Sequence, residues 1–237
     1  MFNRCRNLLK TVQGWNILQT KRDIATTSAA RKYHRPIESN TMPRSGGISS
    51  MMRLPVKTTA AGLDACFVGV PMDCGASYKP GTRLGPRHVR VESVLIRPVN
   101  AATGASPFES LVVADVGDVP TNMFNIHEAC KQIRLHFADV LKHDCKPIAI
   151  GGDHTITYPI LQAIKEKHGP VGLIHVDAHS DTSDSTMGEK VEHGTHLRRS
   201  VEDGCVDTNR VIQIGLRESW YSPFDYMWPR KQVRGFE

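Results

Sequence analysis

The sequence lacks any apolar run long enough to cross a bilayer, and its longest apolar stretches have the length of a single strand. It also lacks a C-x-x-C pair, and its six cysteines are scattered along the chain. This spacing argues against a zinc ribbon or a disulfide framework and predicts reduced, mostly buried thiols. With 40% hydrophobic residues among 237, the chain is expected to form one large α/β domain, or at most two small ones.

Acidic residues are almost absent from the first 37 positions, where Asp23 stands among eight cations. This segment accounts for the whole net charge of +6, so the rest of the chain is close to neutral and a nucleic-acid surface is not expected. Its Arg-rich, amphipathic pattern predicts a disordered mitochondrial presequence over residues 1–37, with a basic tail as the alternative. Residues 38–61 are predicted to be a flexible or loosely packed lead-in, and residues 62–237 the folded domain.

From residue 64 onward, short apolar runs alternate with amphipathic ones. Strands are predicted at residues 65–70, 110–119, 147–150, 171–176 and 210–216. Helical spacing is found between most of these strands, and most clearly over residues 124–142. This alternation predicts right-handed βαβ units and a parallel sheet with helices on both faces. In such folds, functional residues gather in the loops at the carboxyl ends of the strands.

Two short motifs place acids and imidazoles directly after predicted strands. Asp177, His179 and Asp181 in "DAHSD" follow one strand, and "GGDHT" presents His154 after the preceding strand. Carboxylates so close to a buried strand repel one another and are costly to desolvate, so a positive charge is expected among them. Oxygen and imidazole donors without a thiolate suit Mn²⁺, Fe²⁺, Co²⁺, Ni²⁺ or Zn²⁺. The sequence therefore predicts a metal site formed by these four side chains.

The alternative for these motifs is a hydrogen-bonded polar loop in which Asp153 or Asp181 caps the following helix. Two other histidines near the motifs are not expected to bind the metal. His175 is expected to be a hydrogen-bonded core residue, or a residue just outside the site. His196 is expected to lie on a loop surface.

The motifs "GGDHTITYPIL" and "HVDAHSDT" resemble two signatures of the ureohydrolases, a family that includes arginase and agmatinase. Further similar stretches are "GVPMDCGASYKPGTRLGPRHVR", "ADVGDV", "HGTHLRR" and "RVIQIGLRESWYSP". The resemblance covers residues 62–230 and is closest to mitochondrial agmatinase-like members. It implies a three-layer αβα fold with a mainly parallel sheet of the arginase/deacetylase type. A metal-dependent deacetylase, which shares a related fold, is a weaker alternative.

The resemblance also implies a reaction and a set of residues for it. His154, Asp177 and Asp181 match ligands of one manganese ion, and Asp177 and His179 match ligands of a second ion. His193 matches a histidine that moves protons. The family hydrolyses a linear guanidino compound to urea and an amine through a hydroxide that bridges the two ions. The substrate stays open between agmatine, from polyamine metabolism, and a guanidino acid such as 4-guanidinobutanoate; the full-length protein is expected to be a homo-oligomer of the mitochondrial matrix.

The family's S-x-D-x-D-x-x-D-P signature, which supplies two more metal-binding aspartates, does not occur in this sequence, and neither does a later substrate-contacting glutamate. The chain is therefore interpreted as C-terminally shortened. We expect it to bind at most one Mn²⁺ ion, weakly, and to be weakly active or inactive. The alternative is a non-catalytic short form that associates with full-length subunits. An exposed apolar edge is also expected near Val211–Leu216.

Overall fold

The computed structural model describes residues 33–232, and most of the predicted presequence lies outside this range. The described residues form five strands: β1 (Ala65–Val70), β2 (Val113–Asp118), β3 (Lys146–Gly151), β4 (Val171–Val176) and β5 (Val206–Ile214). They also form five α-helices: α1 (Gly85–Glu92), α2 (Ile126–Lys142), α3 (Thr157–His168), α4 (His196–Glu202) and α5 (Met227–Gln232). Single turns of 3₁₀ helix occur at Met51–Arg53, Thr82–Leu84, Ser93–Leu95, Pro107–Glu109 and His154–Ile156.

All strand pairs in the described residues are parallel, which confirms the predicted α/β organisation. The strands form two sheets rather than the single sheet expected, one with the order β2-β1-β3 and one that pairs β4 with β5. β3 and β4 follow one another in the chain, but α3 carries the chain between them and they belong to different sheets. Which strands pair with each other depends on contacts between distant segments of the chain. Local sequence patterns therefore did not show that the strands divide into two sheets.

The main core is formed by β1 and the helix α2. Every residue of β1 after Ala65 is buried, and Ile133 and Phe137 on α2 are fully buried in the same cluster. α2 begins where the side chain of Asn125 accepts hydrogen bonds from the backbone N–H groups of His127 and Glu128. The predicted helical spacing therefore gives one apolar face, which the sheet covers.

The prediction of reduced, mostly buried cysteines is confirmed for the described cysteines, none of which forms a disulfide. Four of them are buried and Cys74 is half-buried. Within residues 33–232, no helix has the length and apolar character needed to span a membrane.

Part of the predicted lead-in is packed rather than loose. Met51 and Leu54 are buried in a cluster with Phe67 and Phe108. The backbone N–H of Lys57 also donates to the carbonyl oxygen of Asp115 at 2.9 Å, which extends the pairing along β2. The Gly- and Ser-rich composition suggested a loose segment, but its few large apolar side chains are enough to attach it to the domain.

Candidate metal centre

The loop after β3 is pressed against the end of β1, and this contact places His154. A Cβ atom at Gly152 would lie 1.8 Å from the carbonyl oxygen of Met72, so only glycine fits there. The next residue, Asp153, is buried and accepts hydrogen bonds from the N–H groups of Thr155 and Gly75, each at 2.8 Å. Asp153 thus caps the 3₁₀ turn that begins at His154, as the alternative interpretation of this motif expected.

The loop after β4 turns back on itself and presents Asp177 and Asp181. The N–H of His179 donates to Asp177 Oδ1 at 2.9 Å. Asp181 has a φ of 52°, a left-handed conformation that is uncommon outside glycine. Its carbonyl oxygen accepts from the N–H of Leu197 at 3.2 Å, so the strained turn is tied to α4. Such backbone strain is often found at functional sites, where surrounding contacts hold it in place.

The four predicted ligands lie together at the carboxyl ends of β3 and β4. His154 Nδ1 is 2.9 Å from Asp181 Oδ2 and 3.1 Å from Asp177 Oδ2. His179 is more peripheral, because its Nδ1 is 3.5 Å from Asp177 Oδ1 and its side chain is 63% exposed. All four side chains line one pocket of about 370 Å³, which also includes His193.

His193 also lines this pocket. Its Nε2 lies 2.9 Å from the hydroxyl oxygen of Ser77 and 3.5 Å from Glu192 Oε2. Glu192 is itself buried and accepts hydrogen bonds from the Thr186 hydroxyl and the Gly194 N–H. The imidazole is 40% exposed, so it can reach both a molecule in the pocket and solvent.

The expectation that His196 lies on a loop surface was wrong. His196 is the first residue of α4, is only 1% exposed, and places Nε2 2.8 Å from Asp181 Oδ2. A helix as short as α4 has too few residues for hydrophobic periodicity to show which face is buried. The sequence therefore could not show that the His196 side chain points into the protein. His175 is buried and hydrogen-bonded to Gln213, in agreement with the interpretation of it as a core residue.

The ionisation states of these groups depend on one another. Burial by itself would raise the pKa of Asp181, but hydrogen bonds from His154 and His196 outweigh it and hold that pKa well below its usual range. Burial would lower the pKa of His154, but the hydrogen bond to Asp181 and the charges of both aspartates raise it. Burial, with only partial compensation by Asp181, lowers the pKa of His196 to about 4. His196 is therefore neutral at pH 7 and retains a nitrogen lone pair.

The donor set fits a divalent cation. Carboxylate oxygens and imidazole nitrogens converge without a thiolate, a combination that suits Mn²⁺ and the later first-row ions. Two buried ring nitrogens, His175 Nε2 and His196 Nδ1, have no hydrogen-bond partner among the described residues. Of these two, His175 Nε2 lies 3.7 Å from Asp177 Oδ2, so this side of the site has a buried polar group that protein atoms leave unsatisfied.

Parallel strands joined by helices, with histidines and aspartates at their carboxyl ends, define an α/β protein of the three-layer class with a candidate metal centre. A family model described as the arginase family matches residues 63–236. Since this match covers well over half of the sequence, the chain belongs to the arginase family.

Several curated proteins are similar to the chain. It is 54% identical over 201 residues to a mitochondrial agmatinase of Gallus gallus, covering 84% of this chain and 59% of that protein. It is 55% identical to a guanidinobutyrase of Pseudomonas aeruginosa, covering 85% of this chain and 64% of that protein. It is 51% identical to a mitochondrial guanidino acid hydrolase of Homo sapiens, covering 84% of this chain and 56% of that protein.

Solved structures show the same fold. The proclavaminate amidino hydrolase of Streptomyces clavuligerus superposes with a TM-score of 0.76 at 35% identity, covering 80% of this chain and 63% of that one. The agmatine ureohydrolase of Thermoplasma volcanium gives a TM-score of 0.67 at 25% identity, covering 79% and 61%. The chain thus spans less than two thirds of the length of each of these relatives.

Proposed function

We propose that the protein hydrolyses a linear guanidino compound, agmatine or a guanidino acid, to urea and an amine. The observation that carries this proposal is the convergence of His154, Asp177 and Asp181 within about 3 Å at the strand ends of an arginase-family domain. The names of the similar proteins, agmatinase, guanidinobutyrase and guanidino acid hydrolase, agree with this substrate class.

In this proposal, His154, Asp177 and Asp181 would hold one Mn²⁺ ion, and Asp177 and His179 would hold a second. When bound, divalent ions supply Lewis acidity that lowers the pKa of water and makes it nucleophilic at neutral pH. Asp177 would contribute to both positions, because its Oδ2 lies 3.1 Å from His154 Nδ1 and its Oδ1 lies 3.5 Å from His179 Nδ1. The carboxylates would offset the positive charge of the ions and help to orient the cationic guanidinium group in the pocket.

His193 is proposed to move the proton that the departing amine must accept. An imidazole is suited to this step, since its ordinary pKa lies close to neutral pH. The Ser77 hydroxyl and the Glu192 carboxylate fix the ring at the pocket wall, so Nε2 stays within reach of both the pocket and the serine.

One residue of the pocket supports a substrate with an anionic tail. Three arginines that lie near the site motifs in the sequence are paired with acids: Arg83 with Asp73, Arg198 with Glu202 and Arg199 with Asp184. Among the described residues that line the pocket, Lys79 is the one with a permanent positive charge. A carboxylate tail, as in 4-guanidinobutanoate, would be attracted to this position more than the ammonium tail of agmatine.

Urea release from purified protein tests the proposal. With Mn²⁺, we expect slow urea formation, faster with 4-guanidinobutanoate than with agmatine, and loss of it in Asp181→Asn. The rate is expected to be low because the chain supplies three protein donors to one ion position and two to the other. Activity equal in wild type and Asp181→Asn, or no urea from either substrate, would contradict the proposal.

The second candidate is a non-catalytic subunit that associates with full-length relatives. It is favoured by an uncovered apolar face on the β4–β5 sheet, where Ile174 and Val176 are each 72% exposed. Stable co-purification with an intact arginase-family subunit, without urea release of its own, would support this candidate. For both candidates we propose a mitochondrial location, in the matrix, because two of the similar proteins carry that organelle in their names.

A further inference from the structure

Arg53 is a buried cation without an acidic partner among residues 33–232. It is 6% exposed, and it takes part in none of the ion pairs that arginines form within that range. Its guanidinium donates to the carbonyl oxygen of Met42 at 2.6 Å. A guanidinium is always charged and carries several N–H donors, so one carbonyl oxygen leaves its charge unbalanced. Burial of an unpaired charge is costly, and an anion beside Arg53 would remove that cost.

The backbone at Arg53 is held in a conformation that its residues do not prefer. Met52 and Arg53 have φ values of 50° and 58°, so two successive residues other than glycine are left-handed. The turn is fixed from outside, because the N–H groups of Met51 and Met52 donate to Asp115 Oδ2 and Ser93 Oγ, each at 2.7 Å. Backbone strain that surrounding contacts maintain is concentrated at binding and active sites. The strained turn is thus a second observation, independent of charge, that points to a site at Arg53.

Arg53 lines a cavity of about 330 Å³ together with two further arginines. Arg44 comes from the lead-in segment and Arg97 from the chain after α1, and both are exposed. Neither takes part in an ion pair among the arginines of the described chain. The acidic residue that lines the cavity, within residues 33–232, is Glu38. Three arginines and one glutamate give this cavity a net charge of +2.

We propose that this cavity binds a small dianion through phosphate or carboxylate oxygens, with Arg53 as its buried contact and Arg44 and Arg97 as contacts at the rim. The planar guanidinium group matches the paired oxygens of both anions. A volume of about 330 Å³ lies at the small end of the range of about 300–1,000 Å³ that is usual for ligand pockets, so the ligand is small. None of the residues that line this cavity lines the pocket of the candidate metal centre. The site therefore goes beyond the proposed hydrolysis.

Isothermal titration calorimetry with inorganic phosphate, and separately with succinate, tests this site at an ionic strength held constant with chloride. Wild-type protein is expected to bind one equivalent of phosphate, succinate or both, and the arm that binds identifies the oxyanion. Arg53→Gln is expected to weaken binding about tenfold or more, and the exposed Arg97→Gln roughly threefold. Arg87→Gln is the matched control, because Arg87 is an exposed arginine on α1 that does not line the cavity. Binding of neither anion, or equal weakening by the control, would overturn the proposal.

Thermal unfolding with the same two anions separates ligand binding from a purely structural role of Arg53. A ligand that binds only the folded state raises the midpoint of unfolding, so the bound anion is expected to stabilise wild type more than Arg97→Gln. If Arg53 only holds the lead-in segment through Met42, Arg53→Gln will be less stable while Arg97→Gln binds the anion as wild type does. That result would overturn the proposal, and it can be read from Arg97→Gln even where Arg53→Gln does not fold. Neither measurement depends on urea release, so the proposed hydrolysis stands or fails separately.

Discussion

At the scale of single residues, the site depends on two unusual backbone positions. One has no room for a side chain, and the other has a left-handed conformation. Gly152 lets the end of β3 approach β1 closely, and Asp181 occupies a left-handed conformation tied to α4. These two backbone positions determine where the side chains of His154 and the aspartates meet, whether or not a ligand is bound. Preorganisation of this kind keeps the donors from having to move when an ion binds.

Gly152→Ala is expected to damage both stability and the site. The new Cβ would lie 1.8 Å from the Met72 carbonyl oxygen, and backbone on both sides must shift to relieve the clash. We expect a loss of about 1–3 kcal/mol in the free energy of unfolding and weaker Mn²⁺ binding. Guanidinium chloride unfolding and metal titration measure the two effects.

Gly46→Ala is the matched control for that substitution. Gly46 is exposed, and its added Cβ would meet the end of the flexible Met42 side chain at 3.3 Å. Its effect on stability is expected to be within about 0.5 kcal/mol, as for most surface substitutions. Similar destabilisation by both substitutions would show that the close approach at Gly152 is not what matters.

At the scale of elements, a buried ion pair joins α1 to β2. Arg90 donates to both oxygens of Asp115, at 2.7 Å and 3.0 Å, and also to Asp118 at 2.5 Å. The side chains of Arg90 and Asp115 are 8% and 2% exposed. Asp115 also accepts from the N–H of Met51, so the same carboxylate fixes the lead-in segment to the sheet.

Asp115→Asn is expected to cost about 3 kcal/mol in the free energy of unfolding at pH 7, because it leaves the buried Arg90 without its main counterion. Asp139→Asn is the control, since its pair with Lys142 is exposed on both sides and should contribute well under about 1 kcal/mol. Chemical denaturation of the three proteins gives the comparison. Equal stability of both variants would contradict a dominant role for the buried pair.

The same pair predicts a pH dependence with a definite sign. Burial would raise the pKa of Asp115, but the hydrogen bonds and charge of Arg90, with two backbone N–H groups, outweigh burial and lower it. Its stabilisation is therefore complete above the unfolded-state pKa of about 3.9 and is lost as the pH falls through the lower folded-state value. The stability difference between wild type and Asp115→Asn should shrink between pH 5 and the acid limit of folding. A constant difference over that range would be inconsistent with the lowered pKa.

At the scale of the whole molecule, one face of the β4–β5 sheet is uncovered. Ile174 pairs with Ile212 and Val176 pairs with Ile214, so the four side chains form one patch. They are 72%, 45%, 72% and 47% exposed, respectively. The apolar exposure predicted near Val211–Leu216 therefore occurs as a face, with Val211 itself buried on the other side. Contiguous apolar surface of this kind favours association.

The double substitution Ile174→Thr with Val176→Thr is expected to reduce self-association and leave the fold intact, because both side chains are already mostly exposed. Light scattering during size-exclusion chromatography, over a range of protein concentrations, should give a lower average mass than wild type. Leu135→Thr is the control, since Leu135 is 51% exposed but lies on α2, away from the patch. An equal reduction in both variants would mean that the patch has no special role.

The sequence by itself determined the order of strands and helices and the four side chains that meet at the strand ends. Strand and helix periodicities are local, and a residue directly after a parallel strand must lie at the carboxyl edge of the sheet. The linear order therefore brought His154, Asp177 and Asp181 into one pocket.

Only the tertiary structure decided that the strands divide into two sheets, that Met51 and Leu54 belong to the core, and that His196 points at Asp181. Each of these depends on contacts between segments far apart in the chain. The hydrophobic periodicity of a helix as short as α4 does not indicate which of its faces packs against the rest of the protein. The packing of α4 against the β4 loop turned a histidine expected on the surface into the nearest imidazole to Asp181.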